Sequence, residues 1–155
     1  MDKIKNAATI LARFFLSILF IAGAINQIFH WHETEQFVSG ILCDWQIRLH
    51  MFDQMQTCMA FLVDWAPLVL IVMTLLSLIG GLLLLVGIKE KLGAGLLIVF
   101  LIPVTILVHS FWFYEGSMRE QEQTNFLKNI AILGGLILVF LQGAQAPKNN
   151  TSRNF

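Results

Sequence analysis

The stretch LVHSFWFYEG, residues 107–116, sets an imidazole, an indole, a phenol and a carboxylate directly after a long apolar run. Histidine is the side chain suited to exchange a proton near neutral pH, which makes His109 the first candidate for chemistry. At a similar depth on the other apolar runs stand Asn26, Gln27, Asp64, Lys128 and Asn129. Polar groups at a membrane's edge must face water, protein or a ligand. Side chains converging there from four helices define a candidate outer pocket of Asn26, Gln27, His109, Trp112, Lys128 and Asn129. In that pocket Lys128 would hold an anionic or carbonyl group, Asn129 and Asn26 would hydrogen-bond it, and His109 would give or take a proton. The plainer alternative is that each side chain snorkels to water or caps its own helix, with Trp112 and Tyr114 in an aromatic belt.

Other chemistries lack their residue sets. His30 and His32 are two positions apart and diverge on a helix, and His50 has no evident partner. No His-x-x-x-His or Glu-x-x-His pair completes a set, so no metal centre is expected. Haem or an iron–sulfur cluster would need paired His or several Cys, and no covalently bound cofactor is expected. Cys43 and Cys58 do not form a Cys-x-x-Cys pair, which leaves dithiol exchange without its usual spacing. No catalytic constellation is complete, and whether the chain is an enzyme stays open. The ten basic residues are scattered and balanced by ten acidic ones, so the basic stripe of a nucleic-acid binder is missing.

The elements that must position these groups are membrane helices. Of 155 residues, 57% are hydrophobic and only 13% charged, against roughly a quarter charged in soluble domains. Apolar stretches of about 20 residues cross the hydrocarbon core, and the expected spans are residues 7–29, 66–88, 92–113 and 125–142. The fold class is therefore an all-α membrane protein, a four-helix transmembrane bundle forming one domain over residues 1–146, with a short polar tail at 147–155. The first span is interrupted by Arg13 near one end and by Asn26 and Gln27 near the other. It reads as a retained helix in which Arg13 snorkels, the alternative being a cleavable secretory signal. With the N-terminus inside, Lys3, Lys5, Lys89, Lys91, Lys148 and Arg153 face the cytoplasm, against Arg48, Arg119 and Lys128 outside. The positive-inside rule thus places both termini in the cytoplasm.

The long outer connection carries Phe37, Ile41, Trp45, Leu49, Phe52, Met59 and Val63 at near-helical spacing. It predicts an amphipathic helix over residues 33–65 that lies on the outer leaflet or caps the bundle. No Gly or Pro interrupts it between Gly40 and Pro67. One unbroken helix would hold Cys43 and Cys58 about 22 Å apart, too far for a disulfide. The small residues of SLIGG at 77–81, GAG at 93–95, and Ala131 with Gly135 are expected to let helices approach closely, and Pro103 to kink the third span.

Read whole, HSFWFYEGSMREQEQTNFLKNIAILGGLILV resembles the DoxX family of small membrane proteins, whose pattern is matched by His109, Phe111, Trp112, Gln123, Phe126, Leu127, Lys128, Asn129, Ala131, Leu133, Gly134 and Gly135. The GGLLLLVGIKEKLGAGLL hairpin and the ARFFLSILFIAGAIN helix are similar to the family as well. Two departures stand out: Ser77 replaces a Glu found in the second helix of many members, and Asn26 or Gln27 a Lys at the end of the first. The resemblance implies a bacterial cytoplasmic-membrane protein that serves as partner subunit of a redox system, quinone-linked or related to thiol and oxidative stress. Its implied associates are the lipid bilayer, dissociable quinone, a membrane or soluble oxidoreductase, and further copies of itself. The alternatives are a small-solute binding or transport protein, or a membrane-protein assembly factor.

Overall fold

The computed structural model describes residues 2–49 and 51–142, with side chains from Ala7 onward. The polar tail, with Lys148 and Arg153, and His50 lie outside the described residues, as do the side chains of Lys3 and Lys5. Six α-helices are present among the described residues: α1 Asp2–Phe29, α2 Trp31–Arg48, α3 Asp53–Asp64, α4 Ala66–Val86, α5 Glu90–Val108 and α6 Gly116–Gln142, with a single 3-10 turn at Phe111–Phe113. Four stretches among the described residues are long and apolar enough to span a membrane: Ala7–Phe29, Ala66–Val86, Glu90–Phe113, which runs from α5 through the 3-10 turn, and Gly116–Gln142. Large apolar side chains such as Phe15 and Leu138 point outward from the bundle, as a lipid-facing surface requires.

The four long helices pack in the order α1, α4, α5, α6, each against the next, while α6 and α1 touch only slightly. The bundle is thus closed on three sides, with a loose seam on the fourth. Its core is Phe20, Leu84, Ala94, Leu97, Phe100, Leu101, Leu136 and Val139. Glycine sets the closest approach. A Cβ on Gly80 would lie 3.1 Å from the Gly93 carbonyl oxygen, and one on Gly93 would lie 3.0 Å from that of Gly80, so α4 and α5 cross backbone to backbone. Gly81 turns the other way, toward Ile21 of α1. The expected glycine contact through Ala131 and Gly135 is not of this kind. Ala131 is exposed, and a Cβ on Gly135 would make ordinary 3.7 Å contacts with Leu16.

The α4–α5 turn is tight, with Gly87 and Lys89 both in left-handed backbone conformation at φ 76° and 52°. Arg13 does not simply snorkel to water. Its guanidinium pairs with Glu90 in the first turn of α5, and both side chains are largely covered. An acidic side chain there also suits the helix dipole. Arg13 packs over Gly87, where any Cβ would collide with it. Lys91 sits 5.1 Å from the centre of the Phe140 ring, so a cation and an aromatic face finish the same end of the bundle.

Several element boundaries depart from expectation, two of them with consequences for the packing. The outer connection is two helices, not one, with the break at residues 49–52. A straight helix over residues 33–65 would run about 50 Å and leave the bundle top. Instead the Phe52 amide bonds the Leu49 carbonyl at 2.9 Å, and Asp53 opens α3, which packs back along α2 and touches α4. Cys43 on α2 and Cys58 on α3 are therefore not held about 22 Å apart by one unbroken helix, although both are free and exposed. The fourth long helix begins at Gly116 and not at residue 125, which brings two further polar turns into it.

The α2 helix is held on the bundle by Trp45. Its indole N–H donates at 2.9 Å to the Leu107 carbonyl, one of the last-turn acceptors that α5 leaves unpaired. Its ring meets Phe113 edge to face at 5.1 Å, and Arg48 stacks 4.5 Å above the same Phe113.

Candidate functional site

At the His109 end, a cavity of about 240 Å³ lies between α1, α5 and α6. Its walls are mostly apolar and include Leu19, Phe20, Phe100, Leu101, Val104 and Ile132. Its polar groups are Gln27, Ser77, His109 and Asn129. Because both α1 and α6 contribute, the cavity sits on the loose seam of the bundle. Gly23 also lines it, with nothing within 4 Å of where a Cβ would be, so the wall there is open.

Three of these polar groups are oriented by a neighbour. The Thr74 hydroxyl donates to Gln27 Oε1 at 3.0 Å, which leaves the Gln27 amide N–H groups as its remaining donors. Ser77, buried on α4, donates to the Phe20 carbonyl at 3.1 Å. His109 caps the C-terminus of α5, and its Nδ1 lies 2.8 Å from Glu122 Oε2 on α6. Both members of that pair are about four-fifths covered, at 20% and 19% side-chain exposure, so the carboxylate acts on the imidazole with little competition from water.

Of the six pocket residues expected from the sequence, the structure brings three together in this cavity: Gln27, His109 and Asn129. Asn26 is exposed and lines a separate, open recess of about 320 Å³ with His30, Glu33, Thr34 and Phe37. Trp112 belongs to an aromatic cluster, with ring centres 6.0 Å from Phe126 and 6.4 Å from Trp45. Lys128 is exposed and does not line the cavity, being turned by about 100° from Asn129, the next residue along the helix. No Lys or Arg side chain lines the cavity. Glu122, Thr74 and Ser77 had no part in the expected pocket. Glu122 was legible in principle, because it precedes Asn129 by seven residues and so shares its helix face, once α6 is extended back to Gly116.

A second, mainly apolar cavity of about 210 Å³ lies under α2 and shares Gln27, Phe100 and Val104 with the first. Pro103 lines it, so the proline inside α5 stands where the bundle opens. Among the described residues no group of three or more His, Cys, Asp or Glu side chains is gathered as a metal site.

The family model described as DoxX matches residues 8–110, about two thirds of the chain, from α1 to the end of α5. The chain belongs to the DoxX family. The match covers Gln27, Ser77 and His109 of this DoxX cavity and ends before α6, so Glu122 and Asn129 lie beyond it. The chain is also similar to the ER-derived vesicles protein ERV29 of Saccharomyces cerevisiae, 33% identical over 69 residues, which is 44% of this chain and 22% of that protein. It thus spans about a fifth of the length of that relative. No solved structure matches.

Proposed function

We propose that this DoxX protein is a membrane partner subunit of a redox system and that it reversibly holds an uncharged, quinone-class molecule in the cavity of Gln27, His109 and Asn129. The observation that carries this reading is the combination of apolar walls, a few convergent hydrogen-bonding groups and a position on the α1–α6 seam. Such a composition is usual for small-molecule sites, and a ligand dissolved in lipid would reach it laterally. Amide donors suit carbonyl oxygens, and a lining without Lys or Arg suits a neutral ring better than an anion. Electrons would then pass between the dissociable molecule and a partner oxidoreductase.

We place the protein in a bacterial cytoplasmic membrane with both termini on the cytoplasmic side. The cluster of Arg13, Lys89 and Lys91 at one end of the bundle supports that orientation. A small-solute binding or transport protein would use the same cavity and is the second reading. An assembly factor acting through glycine faces has less support, because Gly80, Gly81 and Gly93 are engaged inside the chain's own bundle.

The test is gentle detergent purification followed by mass spectrometry of what remains attached. Co-purifying quinone or an oxidoreductase supports the proposal. An empty preparation from quinone-replete membranes counts against it.

A further inference from the structure

Glu122 touches His109 but does not line the cavity, whereas His109 does. An ionised carboxylate only accepts hydrogen bonds, so the nitrogen it faces at 2.8 Å, Nδ1, must carry the hydrogen. In the neutral imidazole the other nitrogen, Nε2, is then an acceptor with a free lone pair. With Nδ1 turned to Glu122, the Nε2 edge is the one left for the cavity.

From this geometry we propose that Glu122 and His109 form a proton-accepting dyad, in which Glu122 is a positioning residue that fixes the His109 tautomer. The dyad makes the cavity select a ligand bearing an acidic hydroxyl, a hydroquinone or phenol, over the matching carbonyl form. The inference rests on the quinone-class reading above and deepens it. A ring hydroxyl donates to Nε2, while the amides of Gln27 and Asn129 serve the other ring oxygen. The oxidised ring has no hydrogen for Nε2 and leaves a covered acceptor unpaired, which is the costly case. When the proton moves, the ligand O–H bond breaks and an Nε2–H bond forms. That oxygen keeps the electron pair as an oxyanion that accepts from the new Nε2–H, the other ring oxygen stays on the amide N–H donors, and the new imidazolium is paired with Glu122. No electron is gained or lost in that step, so no oxidant is required for it.

The test uses the full chain in lipid nanodiscs under anaerobic conditions, with duroquinol and duroquinone as the probes. The wild type is expected to bind the quinol about fivefold or more tightly than the quinone. Glu122→Gln, whose amide can donate to Nδ1 as readily as accept from it, is expected to bring the two affinities together, and Glu122→Asp to restore part of the preference. Equal affinities in the wild type, or an undiminished preference in Glu122→Gln, overturn the dyad and leave the quinone-class site standing. Binding of neither probe removes the site and the dyad with it. The tautomer itself is read without any variant from the 15N shifts of His109 in the wild type. A protonated Nδ1 with a bare Nε2 is expected, and the opposite tautomer overturns the proposal even if Glu122→Gln fails to fold.

Discussion

One methyl group, added at two different glycines, should move stability in opposite directions. Replacing Gly by Ala inside a helix gains about 0.5–1 kcal/mol by restricting the unfolded chain. At Gly23 nothing lies within 4 Å of the new Cβ, so Gly23→Ala should show that gain in full. At Gly93 the new Cβ would meet the Gly80 carbonyl oxygen and the Leu83 Cβ at 3.0 Å and the Leu84 amide nitrogen at 3.2 Å. Those atoms belong to the backbone of α4 or are fixed to it, and they yield only if the whole helix moves away from α5. Overpacking of this kind costs about 1–3 kcal/mol, so Gly93→Ala should lose roughly 0.5–2 kcal/mol net. Reversible unfolding in mixed micelles, followed by helicity and tryptophan emission, measures both. The reasoning is refuted if Gly93→Ala is as stable as the wild type, or if Gly23→Ala loses as much.

Three further outcomes are expected. Gly23→Leu, which projects a side chain into the cavity from an open position, should weaken quinone binding by about tenfold or more, whereas Lys128→Ala should leave it within about twofold. Titration of both variants in nanodiscs checks the pair. Trp45→Phe removes the bond to the Leu107 carbonyl and should cost about 0.5–1.5 kcal/mol, seen as faster amide exchange in α2 with α4 and α5 unchanged. Glu90→Gln should cost about 1–3 kcal/mol by leaving the covered Arg13 charge without its partner, and adding Arg13→Met should recover most of the loss in the same unfolding assay.

The spans were legible because lipid as solvent demands long apolar runs, and only their ends shifted. The span expected over 92–113 ends its α-helix at Val108, and the one expected from residue 125 begins at Gly116. That second shift brings Glu122 into the helix, in a polar turn that lies outside the apolar run from which the span is read. The break at residues 49–52 carries no Gly or Pro, and it follows from where α3 packs and not from local propensity. Gln27, His109 and Asn129 were legible from depth alone. Asn26 and Lys128 share that depth but point elsewhere, since depth along a helix says nothing of rotation about it. The partners that aim the cavity's polar groups, Thr74 at Gln27 and Glu122 at His109, come from different helices and needed the packing to be seen.

The site at the α1–α6 seam is tested most directly by photolabelling the protein in native membranes with an azidoquinone and sequencing the modified peptides. Label on residues 19–27 of α1 and around Asn129 and Ile132 of α6, displaced by excess unlabelled quinol, is the expected result. Label confined to α2 and α3, or spread evenly over the lipid-facing surface and not displaced, would contradict it.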